Sequence, residues 1–218
     1  MKNINLFFLS FIFYCIIGWI VETIYVSFKQ KKFANRGFLI GPCCPIYGIS
    51  AMSMLLILKK YSYDILILFF MGILIASFIE YLTSLILEKL FKIRWWDYSN
   101  NLLNIDGRVC LLNSLLFGIC CIILFYILNP AITKFINYIP INICSEITII
   151  LFFVFIIDAV ISFITIHRVK KEIKYSTKKD YTEEISSKVK EKLNNESKLF
   201  RRITNAFPNF DIINKVIK

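Results

Sequence analysis

The chain has 218 residues, a formal net charge of +11, 57% apolar residues and 16% aromatic ones. With a mean hydropathy of +0.65, that composition excludes an ordinary soluble domain. Apolar runs of about 20 residues, each long enough to cross a bilayer, recur from the N-terminus to Ile166, and a charged tail follows.

The expected class is an all-α, polytopic helical membrane protein with about five transmembrane helices. The spans are predicted at Leu6 to Phe28, Phe38 to Leu58, Ile65 to Leu87, Val109 to Leu128 and Ile143 to Ile166. A transmembrane domain then covers residues 1–166, and a basic cytoplasmic tail covers 167–218. The first run is read as an uncleaved span. It is too long for a signal-peptide core, has no A-x-A-like site, and carries Glu22 before it ends.

The second span carries Gly41, Pro42, Pro45 and Gly48. Ile46 to Leu58 is too short to cross alone, so the span must start near Phe38, and proline breaks its inner third. A second irregular stretch, Trp95 to Arg108, reads WWDYSNNLLNIDGR. Irregular backbone at membrane depth is tolerated only where it is buried in protein or lines a cavity, so these two segments are where function is sought. Trp95, Trp96 and Tyr98 read as an interfacial aromatic belt, and Asp97 among them is expected to pair with a loop arginine.

Charge sets the expected orientation. Lys29, Lys31, Lys32 and Arg36 lie in the first loop, Lys89, Lys92, Arg94 and Arg108 in the third, and many more basic residues in the tail. The opposite side holds only Lys2, Lys59, Lys60 and Lys134. The positive-inside rule gives N-out, C-in in the cell membrane, and it accounts for the positive charge without nucleic acid. The tail opens with a basic run. From Asp180, with Glu183 at the capping-box position, an amphipathic helix is expected as far as Pro208.

Glu22, Glu80 and Asp158 lie inside predicted spans. An acidic residue there costs about 3 kcal/mol and faces the bundle interior. All three fall roughly 9–12 Å from the inner boundary at the helical rise. Ser77, Glu80 and Ser84 share one helical face, and Asp158, Ser162 and Thr165 another. Asn113 and Ser114 begin the fourth span from the same side. The candidate cavity or ion-pair residues are therefore Glu22, Arg36, Glu80, Arg108, Asn113, Ser114 and Asp158, with Asn35, Tyr47, Asp97 and Asn104 from the irregular segments. Two readings stay open. In one, Arg36 and Arg108 neutralise the acids and pin the helices. In the other, the group binds a substrate or ion, anionic at the N-terminus of the restarted second helix or cationic at the carboxylates.

Glu22 and Glu80 share similar surroundings in spans that enter from the same side, which suggests a parallel repeat. Seven cysteines without a secreted cysteine-rich pattern make no disulfide framework, and the single histidine, His167, makes no metal site. There is no P-loop, G-x-S-x-G or H-E-x-x-H motif. No cofactor and no catalytic residue are expected, and nothing marks the chain as an enzyme.

KFANRGFLIGPCCPIYG (Lys32 to Gly48), FIEYLTS (Phe78 to Ser84), LEKLFKIRWWDYS (Leu87 to Ser99) and NIDGRVCLLNSLLFG (Asn104 to Gly118) resemble the bacterial Putative ABC-transporter type IV family of CmpB-like permeases. The resemblance covers about residues 5–165. Phe117 stands where tryptophan is usual in that family. It implies a transport permease without its own ATPase, an ATPase partner for energy, inner loops that act as coupling elements, and a homo- or hetero-oligomer. The alternatives are a protein that binds or modifies lipid headgroups at the inner leaflet, and an accessory scaffold that uses its basic tail.

Overall fold

The computed structural model describes residues 2–33, 35–91, 93–177 and 211–212; the expected tail helix from Asp180 to Pro208 lies outside them. Five helices carry the fold: α1 (Lys2–Gln30), α2 (Pro45–Leu58), α3 (Ile65–Phe91), α4 (Leu111–Tyr138) and α5 (Ile141–Thr177). A two-residue strand β1 (Ile93–Arg94) pairs antiparallel with β2 (Asp211–Ile212), with Ile93 opposite Ile212 and Arg94 opposite Asp211.

Four of these helices, not five, are long and apolar enough to cross a membrane: α1, α3, α4 and α5. Helix α2 has 14 residues and reaches about 21 Å, short of a hydrocarbon core of about 30 Å. The reason is Pro45. A proline disfavours helical backbone in the residue before it, and Cys44 is extended, with φ −114° and ψ 96°. The expected broken second helix is therefore a 14-residue helix preceded by irregular backbone.

Helix α4 outruns its expected end at Leu128. Residues Leu124–Leu128 form a π turn, and Asn129 and Pro130 follow it. A wider turn at this point accommodates the missing N–H and the ring of a proline, so helix continues to Tyr138. Helix α5 likewise runs to Thr177, past the predicted span end at Ile166. At the start of α3, Asp64 accepts the Ile67 amide at 3.0 Å as an N-cap.

Small residues let the helices approach closely, as packing in lipid requires. Gly72 of α3 meets Cys121 of α4, Gly118 meets Phe69, and Gly48 of α2 meets Cys15 and Phe11 of α1. Leu9, Met54, Leu68, Cys121, Leu124 and Ile132 form the shared core. Helix α5 leans on α1 through Phe8–Phe152 and Phe11–Phe155, both at 5.7 Å between ring centroids, and Asn5 donates to Ser145 at 2.8 Å.

Candidate functional site

The irregular segment between α1 and α2 is fastened on both sides. From α1, Trp19 Nε1 donates to Asn35 Oδ1 at 2.7 Å. Arg36 reaches Glu22 with Nε and Nη2, both 3.2 Å from Oε1. The Arg36 amide donates to Thr23 Oγ1 at 3.4 Å. From α5, Asp158 accepts the Ile40 amide at 2.8 Å and the Gly41 amide at 2.9 Å, one on each carboxylate oxygen. Ser162 donates to the same Asp158 carboxylate at 3.2 Å. A Cβ at Gly41 would sit 2.9 Å from Asp158 Oδ2, so glycine permits the approach. The amides of Ile40 and Gly41, which precede the α2 N-terminus where an external anion was one expectation, are filled by the chain's own carboxylate.

Glu80 is 7% exposed. Tyr98 donates to its Oε1 at 3.3 Å, and Oε2 has no hydrogen-bond partner among the described residues. Glu22 lies close enough for its charge to act on Glu80, and both carboxylates lie within electrostatic reach of the Tyr47 and Tyr98 phenols. Tyr47 packs its ring on Gly18, where a Cβ would overlap it. Burial, reinforced by the negative charges of Glu80 and Glu22, pushes the Tyr98 phenol well above its ordinary range. Tyr98 therefore keeps its proton, and its donor role, at any physiological pH.

Arg108 does not serve Glu80. Its Nη1 bonds Glu88 Oε2 at 2.5 Å and Ser84 Oγ at 3.3 Å, and its guanidinium lies 5.7 Å from the centre of the Tyr81 ring. Arg94 approaches the same Glu88 at 3.8 Å and Asp97 at 3.4 Å. Arg36 and Arg108 thus divide their work: the first neutralises a predicted acid and the second takes a carboxylate outside the candidate set.

The loop between α3 and α4 is a compact lobe. Asn104 holds it, donating to the Ser99 and Asn101 carbonyls at 3.1 and 3.0 Å and accepting the Gly107 amide at 3.0 Å. Gly107 has φ +64° and faces Asp97 and Ser99, a left-handed position that suits glycine. Asp97 accepts from the Ser99 amide and hydroxyl at 2.9 and 2.5 Å. Partial burial opposes its charge, but those bonds and Arg94 outweigh it and hold the carboxyl below its ordinary range. Trp95 is buried, not part of a headgroup belt. It packs on Phe38 and Phe91 with centroids 5.9 and 6.4 Å away, and Trp96 donates to the Arg108 carbonyl at 3.0 Å.

The structure thus pairs Glu22 with Arg36, sets Tyr47 and Glu80 within electrostatic reach of Glu22, ties Asn35 to Trp19, and fastens the same irregular segment to Asp158. Asp97 and Asn104 shape the lobe. Ser114 bonds Ser77 at 2.7 Å and ties α4 to α3. Trp19, Glu88 and Tyr98 were outside the candidate set. Only Glu88 carried a charge that could have flagged it. Among the described residues no group of His, Cys, Asp and Glu is placed to hold a metal ion.

Four membrane-length helices around a fastened, non-helical segment define a multi-pass helical membrane protein. The profile of the Putative ABC-transporter type IV family matches residues 9–163. The chain belongs to that family. No curated protein and no solved structure matches it.

Proposed function

We propose that the chain is the membrane-embedded permease subunit of an ABC-type transport system, energised by a separate ATPase. The family supports this reading. The observation that carries it is the segment 35–44. Its backbone is irregular, yet it is held from α1 by Glu22 and Trp19 and from α5 by Asp158. Transport proteins place unwound backbone of this kind beside their substrate sites, because only a site lined with fixed polar groups tolerates it.

In this reading α2 and the segment before it complete a fifth crossing. The N-terminus faces out and the tail is cytoplasmic in the cell membrane, by the distribution of Lys and Arg. The carboxylates then lie on the cytoplasmic half, and the α3–α4 lobe is positioned to receive the ATPase. Five crossings are few for a translocation path, so the working unit is an oligomer. A lipid-headgroup enzyme is less well supported, because it would need arginines such as Arg36 and Arg108 to clamp the phosphate, and each already faces a carboxylate.

Purification from native membranes in mild detergent tests this. A P-loop ATPase is expected to co-purify in stoichiometric amount, with ATP hydrolysis in the eluate. Its consistent absence, with the protein intact, would refute the permease reading. Loss of function on deleting 180–218 alone, with cavity substitutions silent, would favour the scaffold.

A further inference from the structure

The sign of the ligand follows from which charges are already spent. Arg36 is paired with Glu22, Arg108 with Glu88, and Arg94 with Glu88 and Asp97. The amides of Ile40 and Gly41 are occupied by Asp158. At any of these groups an anion would have to displace a partner. Glu80 is the opposite case. Its side chain is nine-tenths buried, Oε1 has only the Tyr98 hydroxyl, and Oε2 has no partner among the described residues. A buried carboxylate oxygen without a partner carries a desolvation cost that a bound positive charge removes.

From this we infer that Glu80, with the tyrosines 47 and 98 beside it and Glu22 nearby, is the seat of a small monovalent cation. Its source is either an alkali ion or a primary ammonium group. The inference rests on the transport reading only for its biological purpose; the binding itself needs neither transport nor an ATPase. Three features divide the labour. Glu80 Oε2 supplies the counter-charge. The Tyr98 hydroxyl, while donating to Oε1, keeps oxygen lone pairs for the ion. Phenol rings with a carboxylate suit an ammonium through cation–π attraction. Glu22 is paired with Arg36, so with Glu80 ionised the seat carries one net negative charge and takes one positive one.

The test uses the full-length protein in dodecyl maltoside, which brings no charge of its own. A hydrophobic carbodiimide modifies a carboxyl in its protonated form, and peptide mass spectrometry reads the modification at Glu80. Sodium, methylammonium or inorganic phosphate is added at constant ionic strength against tetraethylammonium, which is bulky and has no N–H. Either sodium or methylammonium is expected to slow modification at Glu80 about tenfold at roughly ten times its Kd, by mass action. Which of them protects identifies the source.

Protection by phosphate, or by neither cation, would overturn the inference. So would labelling that responds to pH alone, which marks a proton site, and so would no labelling at all, which means that Oε2 has another partner. Glu80→Gln must abolish the labelled peptide. Should that variant not fold, Tyr98→Phe keeps the carboxylate and is expected to weaken protection by the cation while leaving labelling intact; unchanged protection would remove Tyr98 from the seat. If the cation protects but no ATPase co-purifies, the transport reading fails and the cation site stands. An ATPase that co-purifies without protection gives the reverse.

Discussion

Asp158→Ala removes a single carboxylate, strands the Gly41 amide and leaves the Ile40 amide with only its 3.1 Å bond to Ser162 Oγ. In the native protein Oδ1 takes the Ile40 amide at 2.8 Å and Oδ2 the Gly41 amide at 2.9 Å, and Ser162 adds a third donor. Hydrogen bonds to a charged acceptor contribute about 1.5–3 kcal/mol each, and a buried donor left without a partner costs about 1–3 kcal/mol. One stranded amide at about 1–3 kcal/mol, plus about 1 kcal/mol for Ile40 exchanging a charged acceptor for the Ser162 hydroxyl, puts the loss at about 2–4 kcal/mol, moderated where water enters. Asp158→Asn keeps one acceptor but turns an amide NH2 toward an N–H donor, so it is expected to lose about half as much. Unfolding in mixed micelles of maltoside and dodecyl sulfate, followed by circular dichroism, reads the global loss. Hydrogen exchange at the Ile40 and Gly41 amides reads the local one. A local loss of about 3 kcal/mol corresponds to exchange about a hundredfold faster. If Asp158→Ala costs under about 1 kcal/mol and exchange at Ile40 and Gly41 is unchanged, Asp158 does not hold the segment and the reasoning is wrong.

Arg36→Ala strands a half-buried Glu22 and is expected to destabilise by about 2–3 kcal/mol, while the double replacement Glu22→Gln with Arg36→Gln recovers most of that; a double-mutant cycle in the same micelles decides. The Asp97 carboxyl titrates below its ordinary range in the folded lobe. Its contribution is therefore complete above the unfolded value of about 3.9 and is lost as pH falls through the lower folded value. Proteolysis of the lobe should stay flat from neutral pH to about 5 and rise only in stronger acid, and Asp97→Asn should remove that acid step; a rise already near pH 6 would contradict this. Gly107→Ala adds a Cβ at φ +64° that overlaps Asp97 and Ser99, and should cost about 1–3 kcal/mol. A thermal shift assay that finds it neutral would count against the lobe's geometry.

What could be read from the chain was what depends on local chemistry. Helices α1, α3, α4 and α5 follow from unbroken apolar runs, because length and composition alone decide whether a helix can cross. Pro45 was legible as a break and the stretch before it as irregular, but that no helical turn would precede Pro45, leaving α2 only 14 residues long, was not, since proline acts only on its immediate neighbour. Pro130 carried the same signal and a π turn absorbed it. The partners of the acids were less visible still. Glu22 and Arg36 lie 14 residues apart and were an available pair. Asp158 binds amides 117 and 118 residues away, and a backbone amide leaves no mark in sequence. Trp95 next to predicted headgroups looks the same whether it floats at an interface or, as here, is buried against Phe38 and Phe91.

The attachment of Ile40 and Gly41 to Asp158 also sets an order of events during synthesis. At about 5–20 residues per second, the 117 residues between Gly41 and its acceptor take roughly 6–25 s to emerge. Throughout that interval these two amides have no protein acceptor on α5, so water must reach them or the half-built bundle must leave them outside the hydrocarbon. The last helix therefore acts as a clasp: until α5 arrives, α1 to α4 form an assembly whose least soluble backbone is still wet, and its docking is the step that dries the segment and commits the chain to its final arrangement.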